Sequence, residues 1–372
     1  VVSFIIVGFF VSGIKSSTAY PTVKIPAANF LKNIWFKRSI QTLSLLFFCI
    51  AIVAGFIGSQ APTENFAPLL FWILLLLGIT YSSAFFGDIW QLINPFRIIV
   101  HTFIKLTRRE NEVFFDYPAV LGYIPGLIVY FFIIWLELLS NGYAVVPVNL
   151  SLILVLFLIF SLFGTILFGE KAWFAYGDFF TIFFGSFAHI SPFEYREGHF
   201  YLRPPFIGLT RLTVSKTSLL LFIFFMLSST AFDGFRSTTA WMTFYLHILY
   251  PLAQMIGYST VSTLALLFSP LFFLSLFFIA LVCMKLLVKT EKSLKELAFA
   301  FAPSLIPIAL AYNIAHYYTL LIVQGQAFFS MISDPFNLGW NLLGTAQQVI
   351  NCGVIGASFI WNAQVATIII GH

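Results

Sequence analysis

Eighteen of the nineteen Lys and Arg residues fall in four alternate segments between long apolar runs, and only Arg236 lies in the segments between those. Few folds accept such a pattern. Lys and Arg are retained on the cytoplasmic side of a membrane, so each apolar run between a basic and a basic-poor segment reads as one crossing. The runs lie near 1–13, 41–58, 67–85, 119–140, 149–168, 217–235, 260–283, 297–323 and 354–372. Most reach the ~20 residues that cover a hydrocarbon core of roughly 30 Å, longer and less alternating than a transmembrane β-strand. With 60% hydrophobic and 9% charged residues, the chain also lacks the polar surface a water-soluble fold needs.

The fold expected is an all-α integral membrane protein, a single polytopic domain over 1–372 with about nine transmembrane helices. The N-terminus is extracytoplasmic, the basic loops are cytoplasmic, and the setting is the cell membrane. The chain opens without Met inside one apolar run and closes inside another, so the first and last spans are expected to be truncated. A basic inner face sits against anionic headgroups of the lipid bilayer, so the net charge of +5 is no argument for nucleic acid. Cys49, Cys283 and Cys352 fall in or beside different spans without metal-ligand spacing.

The inner loops echo one another. Gly87-Asp88 opens GDIWQLINPFR and Gly177-Asp178 opens GDFFTIFFGSFAHISPFE, which suggests duplicated units over 41–106 and 119–196, each a hairpin plus an amphipathic interfacial segment. Interfacial helices that simply share their start and stop residues would read the same way. After Pro95, the polar residues Arg97, His101, Lys105 and Arg108 recur at helical spacing, a stripe suited to lipid headgroups. His189 and His199, in an inner loop, read as surface histidines.

The C-terminal part, 297–372, carries the polar load. The span near 297–323 contains Pro303 and Pro307, which remove backbone donors and kink a helix, followed by Asn313, His316, Tyr317, Gln324 and Gln326. Asp334, Gln364 and His372 follow, with His247 and Asp233 close to the same face by topology. Polar groups inside a bilayer are costly without partners, so these residues form either a ligand pocket in the outer leaflet or hydrogen-bonded glue between helices. His316, Asp334 and His372 together would suit a transition metal.

The segments GDIWQLINPFR, YPAVLGYIPGL, STAFDGF, AHYYTLLIVQGQ and ISDPFNLGWNLLGTA, with the closing Gly-His, run in order over most of the chain. In these it resembles a polytopic membrane protein family carried under the label fenitrothion hydrolase. The resemblance implies hydrolysis of an organophosphorus ester and places His316, Gln326, Asp334 and His372 at recurrent family positions. The sequence itself shows no nucleophile elbow or zinc signature, and family members continue past the Gly-His with another histidine.

Three classes therefore stand side by side. The first is a non-enzymatic, transporter-like component or subunit of a larger membrane assembly with an outer polar pocket. The second is a membrane-embedded metal-dependent hydrolase or redox subunit. The third is a structural subunit whose Phe-rich helices bind other integral membrane subunits.

Overall fold

The computed structural model describes residues 22–25, 33–108, 113–196 and 199–372. After a two-residue strand β1 (Val23–Lys24), the chain forms α1 (Ile34–Ile57), α2 (Phe66–Phe86), an interfacial-length α3 (Pro95–Leu106), α4 (Ile124–Leu139) and α5 (Pro147–Phe168). A short α6 (Phe179–Ala188) precedes the hairpin β2 (Phe193–Arg196) and β3 (His199–Leu202). Then come α7 (Thr217–Arg236), α8 (Tyr258–Val288), α9 (Leu294–Gln324), α10 (Ala327–Ser333) and α11 (Ala357–Gly371).

Among the described residues, six helices, α1, α2, α5, α7, α8 and α9, are long and apolar enough to cross a membrane. Helices also stand where two further spans were expected, but α4 and α11 have only 16 and 15 residues. The expected span at 1–13 lies outside the described residues. Among the described residues, eight of the nine expected spans therefore correspond to six helices of full length and two shorter apolar ones.

The bundle is built around α7, whose most apolar stretch is 67% buried, whereas that of α8 is 6% buried. On α7 and α6 the phenylalanines face inward: Phe222, Phe224, Phe179, Phe180 and Phe184 have almost no accessible surface. They stack with neighbours at aromatic pairing distances, Phe96–Phe180 at 5.5 Å and Tyr130–Phe179 at 4.9 Å. Between them these rings tie α3, α4, α6 and α7 together. The outer faces of α8 stay apolar, as a lipid-facing helix requires.

Side-chain caps set several helix starts. Asn65 is fully buried between α1 and α2: its Oδ1 accepts from Ala67 N at 2.9 Å, and its Nδ2 donates to Ala54 O at 2.8 Å and Ser59 O at 2.7 Å. One side chain thus starts α2 and closes off α1. Asn65→Ala is expected to lower stability by about 1–3 kcal/mol, since it removes a cap and strands buried backbone groups. Thermal unfolding in detergent checks this, and an unchanged midpoint would count against it.

The region 169–216 departs from the sequence reading. After Gly87-Asp88 the chain continues into α3, and after Gly177-Asp178 into the buried α6 and the hairpin. β3 pairs with both β1 and β2, antiparallel, Glu194 standing opposite Tyr201. Arg203, read as one of the basic inner-loop residues facing headgroups, is instead buried against Glu194 at 3.3 Å and donates to Ser191 O at 3.0 Å. A guanidinium can be taken out of water here because its donors meet backbone carbonyls and a carboxylate. His189, read as a surface histidine, is largely covered and bonds Gly185 O at 2.8 Å.

The stripe on α3 is split. Lys105 and Arg108 are exposed, while Arg97 Nε and His101 Nδ1 reach Glu170 at 2.7 and 2.9 Å. Burial alone would raise the Glu170 carboxyl, but the bonds from His101 and Arg97 outweigh it and hold it below the usual glutamate range.

Candidate functional site

A cavity of about 600 Å³ lies inside the bundle between α2, α4, α7 and α9. Its wall on α2 comes from Pro68, Leu69, Trp72, Ile73, Leu76 and Leu77, in pairs repeating every four residues. Over Leu69–Ile79 the helix is wound in i→i+5 turns, wider than α-helical ones, and residues four apart on it share the face towards the cavity. Rings from α4 and α6, Tyr130, Phe179 and Phe183, close the opposite side.

The lining is mostly apolar, with polar groups gathered towards one end. This is the end where α1, α4, α7 and α9 finish, since Thr63, Leu138, Val145 and Gln324 all border the cavity there. Glu137, in the last turn of α4, presents an accessible carboxylate into the space. Asn313 Oδ1 is buried on the α9 wall without a hydrogen-bond partner among the described residues. Ser229 Oγ stands 3.2 Å from the Tyr130 hydroxyl, and Thr230 lies beside it.

Behind this polar end, Asp233 Oδ2 is shared by two groups. His316 Nε2 lies 2.8 Å away, and the Tyr317 hydroxyl donates to the same oxygen at 2.8 Å. Tyr317 also lines the cavity, and Glu137 lies within electrostatic reach of Tyr317, Asp233 and His316. The order from the cavity outward is thus Glu137, Tyr317, then the Asp233–His316 pair, whose histidine side chain is 35% exposed. Arg236, one turn beyond Asp233, donates to Leu138 O at 2.9 Å and to Tyr258 Oη at 3.4 Å, tying the ends of α7 and α4 to the start of α8.

The remaining polar residues singled out from sequence serve other parts of this end. Gln326 exchanges two hydrogen bonds with Asn351, donating to its carbonyl at 3.2 Å and accepting from its N–H at 3.1 Å. This pins the segment carrying Ile350 and Cys352 across the mouth of the cavity. Asp334 accepts from three successive backbone groups, Leu338 N at 2.9 Å, Gly339 N at 2.8 Å and Trp340 N at 3.1 Å, and so shapes the loop that follows α10. Gln364 donates to Ala315 O at 2.9 Å, and the Tyr318 hydroxyl to Ile360 O at 3.3 Å, which fastens α11 antiparallel to α9. Gln324 lies at the cavity rim, and His247 is exposed.

His316, Asp334 and His372 do not assemble into a metal site. His316 is engaged by Asp233, Asp334 by the loop backbone, and His372 by its own helix at Ile368 O, 2.8 Å, with its ring 6.0 Å from that of Tyr312. Among the described residues, no three His, Cys, Asp or Glu side chains are grouped to hold a metal ion.

Glu137 and Ser229 are the cavity residues that sequence reasoning passed over. Glu137 is the only acidic or basic residue in IPGLIVYFFIIWLELL, a signal that could have marked it as functional. Comparison with protein-family models, with curated proteins and with solved structures finds no match.

Proposed function

We propose that this chain is a non-enzymatic, transporter-like membrane component that takes a small, largely apolar ligand into the bundle cavity. The observation that carries the reading is the cavity itself. A space of about 600 Å³ lies within the size range of ligand sites and combines apolar walls with a few convergent polar groups, as such sites do. The ligand's apolar body rests against α2 and the rings of α4 and α6, and its polar group meets Glu137, Tyr317 and Asn313. The distribution of Lys and Arg favours an orientation in which the polar end opens towards the extracytoplasmic side. The outer faces of α8 offer either lipid or another integral subunit an apolar contact surface.

The hydrolase activity implied by the resemblance in the sequence asks for a metal-activated water or an activated nucleophile. The His, Cys, Asp and Glu residues described here supply no grouped ligand set for the first, and the binding reading is the one developed.

Filling the cavity tests it. Leu320 lines the space on α9 and is partly exposed, so Leu320→Trp adds bulk there without removing a hydrogen bond. The chain in phosphatidylcholine nanodiscs is expected to bind a small ring-bearing probe, phenyltrimethylammonium or its neutral isostere tert-butylbenzene, saturably. The Leu320→Trp variant is expected to lose at least about tenfold in affinity, a loss of ~1.4 kcal/mol. Equal binding by both proteins would sink the reading.

A further inference from the structure

The cavity's polar end carries a carboxylate, hydroxyls, amides and rings, but no cationic side chain among the described residues. Glu137 offers a carboxylate to the space, and Asn313 Oδ1 is an acceptor without a donor. The second carboxylate, Asp233, stands behind Tyr317. Among the described residues, no Lys, Arg or His lines the cavity. Arg236, at the same end, points its guanidinium at Leu138 O and Tyr258 rather than into the space. Trp72, Tyr130, Phe179, Phe183 and Tyr317 supply the aromatic part of the wall.

A carboxylate held inside an apolar bundle is costly unless an opposite charge or hydrogen bonds offset it. Aromatic rings attract cations through their quadrupoles, and the attraction is strongest where water is excluded. Together these features repel an anion, give a neutral molecule only dispersion and burial, and favour a ligand that brings the missing positive charge and donors.

We infer that the ligand is a monovalent organic cation, a protonated or quaternary amine on an apolar, ring-bearing body, with Glu137 as its counter-ion and the aromatic walls as its cage. The assignment rests on the cavity reading above and goes beyond it by naming the ligand's charge.

Equilibrium binding of tritiated phenyltrimethylammonium and of tritiated tert-butylbenzene separates the two claims, because these molecules share a shape and differ in charge. The full chain in phosphatidylcholine nanodiscs, measured against empty nanodiscs, is expected to bind the cation at least about tenfold more tightly than the isostere. Glu137→Gln is expected to erase that preference, and Glu137→Asp to restore part of it. Equal affinity for cation and isostere in the wild-type chain overturns the cation assignment and leaves the cavity reading standing. Absence of saturable binding by either probe overturns both. Should Glu137→Gln lose the neutral probe as well, the wild-type preference decides alone.

Discussion

Replacing Gly55 by leucine is expected to force α1 away from α5 and to destabilise the protein by about 3 kcal/mol or more, the upper part of the range for overpacking. A Cβ at Gly55 would sit 1.9 Å from Ser151 Oγ, 2.8 Å from Ser151 Cβ and 2.7 Å from Pro147 O. Rotating the serine relieves only the first of these contacts, because the proline carbonyl belongs to the α5 backbone. In a bilayer, lipid tails solvate apolar side chains as well as other helices do, so helix pairs depend on close backbone approach at small residues. The change is read as a lower unfolding temperature in detergent and loss of monodisperse protein. Gly55→Ala is expected to do less harm. Ser151→Ala is expected to rescue part of that loss, since it removes the nearest atom and its own Oγ has no partner among the described residues. Wild-type stability in Gly55→Leu would mean that α1 and α5 do not cross as described.

The second large effect is expected to be stabilising. Asp178 caps α6, accepting from Thr181 N at 2.8 Å and Thr181 Oγ1 at 2.6 Å, and is 1% exposed. Its Oδ1 and the indole N–H of Trp90 fall short of full hydrogen-bond geometry, yet the indole lies near enough to favour the charged carboxylate. Burial pushes this carboxyl up to about 6, against the bonds from Thr181 that pull it down. The residue lies outside the spanning helices, so it exchanges protons with the aqueous phase.

Because the folded protein holds this proton more tightly than the unfolded chain does, the contribution of Asp178 to stability is greatest at acid pH. It declines as pH rises from the ordinary aspartate value to about 6, and is level above that. Asparagine keeps the cap without the charge. Asp178→Asn is therefore expected to raise stability at neutral pH by about 2–3 kcal/mol and to remove this part of the pH dependence. Unfolding midpoints of wild type and variant between pH 4.5 and 7.5 check it. Parallel profiles would refute the assignment, and the comparison cancels contributions from other buried carboxyls such as Asp88.

How much of this was legible beforehand differs between scaffold and site. The six long helices follow from apolar runs that only a bilayer can accommodate, and the break in α9 follows from its prolines. Pro303 sits in a tighter turn over Ala302–Ser304, after which the helix resumes. The buried α6 was not legible, because its phenylalanines also suit an interface. The difference lies in Tyr130, Trp90 and Phe222, which come from elsewhere in the chain to cover them. Nor does composition tell a headgroup-facing arginine from Arg203, whose partners are backbone carbonyls brought close by the fold.

In the candidate site, Asn313, His316 and Tyr317 stood out because polar groups are rare inside an apolar span. Gln326 and Asp334 stood out for the same reason, yet their hydrogen bonds go to loop backbone. A side chain that organises a loop and one that meets a ligand share the same chemistry, and only the position of the neighbouring backbone separates them. Glu137 shows the opposite failure. Its position near a span's end suggests an acid facing bulk water, whereas its exposed side chain lines the cavity.

The segment pinned by Gln326 has a kinetic consequence. It is fastened over the cavity by a pair of amide bonds at the rim, where water can replace both partners, and little apolar surface holds it down. Elements fastened in this way open locally at a small fraction of the free energy of global unfolding. Residence time in the cavity would accordingly be governed by the lifetime of two solvent-replaceable bonds, with the surrounding helices remaining still while molecules come and go.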